Sequence, residues 1–404
     1  MSSLTKKIVV ILSVLIFCYT TVGYVMGRSS ADKAFQALTV YSEVLSHIQH
    51  DYVDDPNVNS VTNGALHGLL DSLDPESSYL SPLEYKDYKA KLAAKSKGEA
   101  GLALTKRFGY IAVLSVLPGS PAQKAGLRLG DTLEKVAGFS TAQMAIEQAQ
   151  LLLTGEPGAT VTLSVIQPGN PEPKEIQLTL AKLPAPRLAE DKVQGDTAYL
   201  RVPEFSAGMS KQIREKLVQF NHQGLHKLIL DLRNCALGDD QEGIATAQLF
   251  ISSGTITTLK GQTVSPVVSS ADPSKVVWTQ PVAVLIGNGT AGAAEIVAGA
   301  ITGNHRGETV GDRTYGTASM QKTVQLDDGS ALILTVANYY TPANKEIQAE
   351  GVAANEVVQP PPPDNYADMS QVYPPLPSSS LDDPVVKKAM EILQQGGTPA
   401  KKAA

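Results

Sequence analysis

The sequence predicts an α/β chain made of a helical N-terminal region, a β-rich α+β domain of short strands and a layered α/β core. Three observations predict it. Val40, Val44, Leu45 and Ile48 recur at helical spacing. From Gly98 to Leu183 the pattern changes to short apolar runs separated by glycine turns. Beyond Pro184, buried-strand runs such as Leu228-Ile229-Leu230-Asp231 and Val282-Ala283-Val284-Leu285-Ile286 alternate with helical stretches, as layered strands and helices require.

The elements follow in order. Lys6-Lys7 precede Ile8 to Gly27, twenty residues without an acidic or basic side chain. That run is long enough to cross ~30 Å of hydrocarbon, and positive charge on its N-terminal side argues for that end staying in the cytoplasm. A cleaved signal peptide is the competing reading, but no clean Ala-x-Ala site follows, and Leu15-Ile16-Phe17 before Cys18 do not form a lipoprotein box. Residues 1–30 are expected to form an uncleaved single-pass anchor in the cytoplasmic membrane, with the bulk of the chain periplasmic or otherwise extracytoplasmic. Residues 31–96 form a helical region, whose second apolar set is Leu66, Leu69, Leu70 and Leu73. Residues 97–183 form the β-rich domain and residues 184–358 the core. Residues 359–404 form a proline-rich linker, opened by Pro360-Pro361-Pro362-Pro363, and an amphipathic helix over Leu381 to Leu393 with a proline-compatible first turn.

Composition excludes some classes. At 404 residues with ordinary apolar and charged fractions the chain is globular, with room for two or three domains. The net charge of −6, with acidic and basic residues mixed, leaves no nucleic-acid footprint. Cys18 lies in the apolar N-terminal run and Cys235 in the soluble part, so no intrachain disulfide is expected. Of the six histidines, His47, His50 and His67 lie in the helical region, His222 and His226 flank a turn, and His305 sits in a helix-to-strand connection. None has the paired carboxylate or cysteine constellation a metal needs, and neither metal nor cofactor is expected.

Gly119-Ser120-Pro121-Ala122-Gln123-Lys124-Ala125-Gly126-Leu127-Arg128-Leu129-Gly130-Asp131-Thr132-Leu133 closely resembles the centre of bacterial PDZ domains. Gly101-Leu102-Ala103-Leu104 resembles the PDZ carboxylate-binding loop, where backbone N–H groups hold a terminal carboxylate and the peptide adds as a strand. Ala103 stands where that loop usually has glycine. Asn288-Gly289-Thr290-Ala291-Gly292-Ala293-Ala294-Glu295-Ile296 resembles the nucleophile segment of the C-terminal processing (tail-specific) serine peptidases, which reads Ser-Ala-Ser-Ala-Ser-Glu-Ile. Thr314-Tyr315-Gly316-Thr317-Ala318-Ser319-Met320-Gln321 matches the same family's Thr-Phe-Gly-Lys-Gly-x-Val-Gln run, and Leu230-Asp231-Leu232-Arg233-Asn234 its Asp-Leu-Arg-Asn-Asn-Pro-Gly-Gly loop. The likeness runs from about residue 40 to residue 395, and it implies an α/β peptidase core of that type with an inserted PDZ domain.

It also implies what has changed. The family's nucleophile, the middle Ser three residues before the Glu, falls on Gly292, and its general-base Lys on Thr317. A desolvated Lys takes the Ser proton, and losing either member of such a unit costs on the order of 10⁶ in turnover. In the oxyanion loop Leu237 replaces the first glycine, ahead of Gly238, so its side chain is expected to fill space left for substrate backbone. Gln321 is retained beside a site with no dyad. Thr290, Ser319 and Lys322 lie close enough in sequence for a displaced dyad, although one residue of shift on a strand turns a side chain to the opposite face. The resulting expectation is a membrane-anchored pseudopeptidase that binds polypeptide C-termini or unfolded tails as regulator or adaptor, and that self-associates, as a dimer, through its N-terminal helices. The alternatives are an active serine-type endopeptidase with a displaced dyad, and a purely structural oligomer.

Overall fold

The computed structural model describes residues 35–93, 98–142, 144–358 and 378–396, together with Val14 and Phe17. The expected anchor over Ile8–Gly27 therefore falls, apart from those two residues, outside the described part, as do Cys18 and the Pro360–Pro363 run. Among the described residues no helix is long and apolar enough to cross a membrane.

The chain divides into two compact units at Ala65/Leu66. In the first, residues 35–51 form helix α1, on which Phe35, Val40 and Val44 are all more than half exposed. Helix α2 (Val58–Asp71) leads into the second unit, where Leu70 is buried while Leu69 and Leu73 are exposed.

The second unit opens with a correction. Ser78-Tyr79-Leu80, expected within a helical region, forms strand β1 (Ser78–Leu80), paired antiparallel with residues 331–333. Tyr79 and Leu80 are buried there, so tertiary pairing decides their state. Helix α3 (Pro82–Ala93) follows, entered through a reciprocal cap: Ser81 N–H donates to Glu84 Oε2 at 2.7 Å, and Glu84 N–H donates to Ser81 Oγ at 3.4 Å.

The β-rich domain contains β2 (Gly98–Glu99), β3 (Leu102–Arg107), β4 (Tyr110–Val116), α4 (Pro121–Lys124), β5 (Thr132–Val136), β6 (Phe139–Ser140), α5 (Ile146–Leu152), β7 (Thr154–Gly155), β8 (Thr160–Gln167) and β9 (Asn170–Thr179). Its main sheet runs β3-β4-β5-β8-β9, so β3 is an edge strand. Ser120 caps α4 by accepting the Gln123 N–H at 3.1 Å, with Pro121 at the first helical position. Ile111, Val113, Leu133, Leu163 and Val165 fill the interior.

The core follows with β10 (Ala189–Gln194), β11 (Thr197–Arg201), α6 (Met209–His222), β12 (Lys227–Asp231), α7 (Asp240–Ala247), β13 (Thr255–Lys260), β14 (Val267–Ser270), β15 (Val282–Ile286), α8 (Ala293–Gly303), β16 (Glu308–Gly311), β17 (Ser319–Gln325), β18 (Ala331–Tyr340), β19 (Glu356–Val357) and α9 (Pro384–Gln394). Six strands make one sheet in the order β10-β11-β12-β15-β16-β19, parallel throughout except β10 against β11. Ile213, Leu217, Phe250, Ile296 and Val297 join Leu228, Leu230 and Val284 in one core, with α6, α7 and α8 on that face. On the other face Val386, Ala389, Met390 and Leu393 of α9 pack on Ile229, Ala283 and Leu285. The alternating burial of the strands thus supplies both layers. A second, antiparallel sheet joins β1, β18, β13 and β14, with β17 on β18.

One buried ion network ties the C-terminal helix to the sheet. Arg233 donates to Asp231 at 2.6 to 3.1 Å and to Asp383, the N-cap of α9, at 2.7 Å. Asp231 also accepts the Tyr199 hydroxyl at 2.7 Å.

Candidate active site

Strand β15 ends at Ile286, the chain turns, and α8 starts at Ala293 with Gly292 as its N-cap at φ 58° and ψ −122°. An L-residue holds that conformation only under strain, and a side chain placed on such a strand-to-helix elbow projects from a sharp corner. A Cβ at Gly292 would meet nothing within 4 Å, so the elbow has the room for a side chain and lacks the side chain.

Glu295, one turn into α8, organises the corner. Its Oε2 accepts the N–H groups of Gly292 at 3.0 Å and Thr317 at 2.9 Å, and its Oε1 accepts the Gly316 N–H at 2.7 Å and the Thr314 hydroxyl. One carboxylate therefore fastens the backbone at both positions where the sequence predicts missing catalytic groups. Burial pushes its pKa up to about 7, while the four hydrogen bonds pull against that rise.

The loop after β12 is laced to the elbow. Ala291 N–H donates to the Cys235 carbonyl at 3.0 Å. Gly238 lies against β11's continuation: a Cβ there would stand 2.4 Å from the Phe205 backbone, so the close approach demands glycine. Leu237, half-buried, packs with Ala236, Tyr315 and Ala291 against Ala103 and Leu114 of the β-rich domain. Two polar contacts complete this junction, Thr105 Oγ1 with Tyr315 Oη at 2.9 Å and Ser115 Oγ donating to the Asn234 carbonyl at 2.7 Å.

Of the hydroxyls considered for a displaced dyad, that of Thr290 is committed to the backbone. Thr290 is buried, donates to the Leu232 carbonyl at 2.8 Å and accepts the Gly287 N–H at 3.1 Å. Ser319 accepts from Gln321 Nε2 at 2.8 Å, and Lys322 is exposed on β17. His47 pairs with Asp51 at 2.6 Å on the surface of α1, and among the described residues no three His, Cys, Asp or Glu side chains converge as a metal would need. Cys235 is a free, buried thiol.

The carboxylate-loop residues divide. Gly101 has φ 79°, and a Cβ on it would lie 2.3 Å from Ser120 Cβ, so both conformation and space call for glycine. Gly101, Leu102 and Leu104 line a cleft of 1330 Å³ whose other walls include Leu151 of α5 and Leu237. Ala103 points away, buried at the junction with the core. Of the positions expected around the missing dyad, Leu237 lines this cleft, whereas Gly238, Gly292, Thr317 and Gln321 are not among its lining residues. Sequence reasoning missed Tyr315 and Thr105, whose contact spans 210 positions and leaves no local signal. It also missed Glu147, whose Oε2 is enclosed in the first turn of α5.

Two family models match the chain: peptidase family S41 over residues 196–358 and the PDZ domain over residues 113–167. A carboxyl-terminal-processing protease of Picosynechococcus is 32% identical over 312 residues, covering 76% of this chain and 74% of that protein. A carboxy-terminal-processing protease of Bartonella bacilliformis is 28% identical over 345 residues, covering 84% and 79%. Among solved structures, the photosystem II D1 C-terminal processing protease superposes with a TM-score of 0.66 at 26% identity, over 83% of this chain and 95% of that one.

Proposed function

The chain belongs to peptidase family S41, the carboxyl-terminal processing proteases, and from that premise we propose that it binds polypeptide C-termini or unfolded tails without cutting them, as a regulator or adaptor. The observation that carries this reading is the occupant of the elbow: the residue at φ 58° with open space beyond its Cα is Gly292, which has no nucleophile. Thr317, whose N–H is held by Glu295, supplies no base in the lysine's place. The PDZ edge strand and the cleft beside it support the binding half of the proposal, because an open sheet edge accepts a further strand.

The same reading places the protein outside the cytoplasm, held by its N-terminal segment, and has it self-associate through the N-terminal helices. Exposure of Phe35, Val40 and Val44 on α1 supports self-association, since a stripe of that kind calls for a partner.

The test is direct. The full chain is incubated with an unfolded protein and with a fluorophosphonate probe, and no hydrolysis and no labelling are expected. Labelling that disappears on changing Thr290 or Ser319 would establish the displaced-dyad enzyme in its place.

A further inference from the structure

The cleft beside β3 is apolar along much of its length, and the charge of its described residues is one-sided. Leu102, Leu104, Leu117, Leu151 and Leu153 supply apolar wall. Among the described residues, the charged ones lining it are Glu99, Glu147, Glu156, Glu204 and Arg187, four carboxylates against one guanidinium. Glu147 is half-buried in this wall; its Oε2 is enclosed, with the Ser78 hydroxyl beside it, and Lys106, whose charge reaches it, is bonded to Asp71. Burial also lifts the Glu147 and Glu204 carboxyls above the ordinary glutamate range, Glu204 further raised by the charge of Glu99.

Resting on the tail-binding reading, we propose that this cleft selects polypeptide tails that carry lysine or arginine just upstream of an apolar terminal residue. A tail entering along β3 brings its own negative terminus toward Gly101, beside Glu99 and within a wall that also holds Glu156 and Glu204. Without compensating charge that approach is repulsive. Basic side chains near the terminus offset the repulsion by placing positive charge against the wall of Glu99, Glu147, Glu156 and Glu204. The apolar terminal side chain takes the leucine-lined wall. An acidic tail fails on both counts, and a neutral tail gains only the apolar contact and the strand pairing.

Fluorescence anisotropy on the full chain decides it. The probes are octapeptides ending in Ala-Leu with a free carboxylate, preceded by two lysines, two glutamines or two glutamates, and the lysine peptide with an amidated end. The lysine peptide is expected to bind about tenfold tighter than the glutamine peptide, with the glutamate peptide weaker still and the gaps narrowing as salt is raised. Glu147→Gln should narrow the lysine-to-glutamine ratio to about threefold, and Glu204→Gln provides a second variant on a different element. Equal binding of the three free-acid peptides would overturn the charge selection while leaving tail binding intact. Equal binding of the free-acid and amidated lysine peptides, or no binding of any probe, would overturn the tail reading and this inference with it.

Discussion

Two glutamates in the first turn of a helix, one fully buried and one half-buried, both held above the ordinary carboxylate range, stand in opposite circumstances. At the start of α8, Glu295 receives four hydrogen bonds and closes the corner between Gly292 and Thr317. At the start of α5, Glu147 has one enclosed oxygen beside the Ser78 hydroxyl and lines an open cleft. The first carboxylate is spent on the fold. The second is available to something outside it. The polar scaffold of the peptidase corner thus persists as architecture, while the Glu147 carboxylate lies on the wall of the PDZ groove.

The sharpest way to break this comparison is to neutralise each carboxylate in turn. Glu295→Gln puts an amide N–H₂ among N–H donors, and a loss of about 2–4 kcal/mol in urea unfolding is expected. A loss below ~1 kcal/mol would mean that Glu295 is not the clamp described. Glu147→Gln removes a half-buried carboxylate raised by desolvation and is expected to leave stability within about 1 kcal/mol or raise it.

The pH dependence of stability separates them further. Burial holds the Glu295 carboxyl at about 7 against an ordinary 4.5, so the folded chain retains a proton that the unfolded chain has released in that window. Its contribution is therefore fully present below pH 4.5 and is lost as pH rises through 7. Thermal unfolding between those limits should show a falling component in the parent that Glu295→Gln lacks. Parallel profiles would refute the assignment to this residue; Glu76, also held at about 7 by burial and by Asp74, contributes with the same sign in both proteins.

Smaller effects test how the two regions communicate. Tyr315→Phe deletes the hydroxyl contact with Thr105 across the domain junction and is expected to cost about 1 kcal/mol. No change in stability would mean that the apolar cluster around Leu237 holds the junction unaided. The smallest expected effect is on catalysis. Gly292→Ser with Thr317→Lys should give hydrolysis at or near background, because Leu237 still occupies the space beside the elbow; adding Leu237→Gly should raise it. Gly292→Ser alone should destabilise by about 1–2 kcal/mol, since serine must adopt the strained conformation that glycine holds freely. Full activity from the double variant would show that Leu237 is no obstacle.

Much of this architecture was legible in the residues. The PDZ centre around Ser120 to Leu133, the apolar strands at Leu228 and Val282 and the small-residue helix after Gly292 are local patterns, and the structure places a cap, two parallel strands and a buried helix there. The amphipathic run near the C-terminus is a helix from Pro384, with Asp383 as its cap. Ser78 to Leu80 was not legible as a strand, because its partner lies some 250 residues away and three residues carry too little periodicity.

The sequence by itself determined which groups are missing from the peptidase corner, because a side chain's chemistry is local: Gly292 and Thr317 carry neither nucleophile nor base wherever the fold puts them. Only the tertiary structure decided that Ala103 turns into the domain junction while Leu102 and Leu104 face the cleft, that Leu237 reaches both, and that Glu295 is bonded into the corner while Glu147 lines the cleft. Each of those depends on which distant atoms arrive within about 3–4 Å, and chain closure over tens to hundreds of residues sets that proximity, which no neighbouring residue encodes.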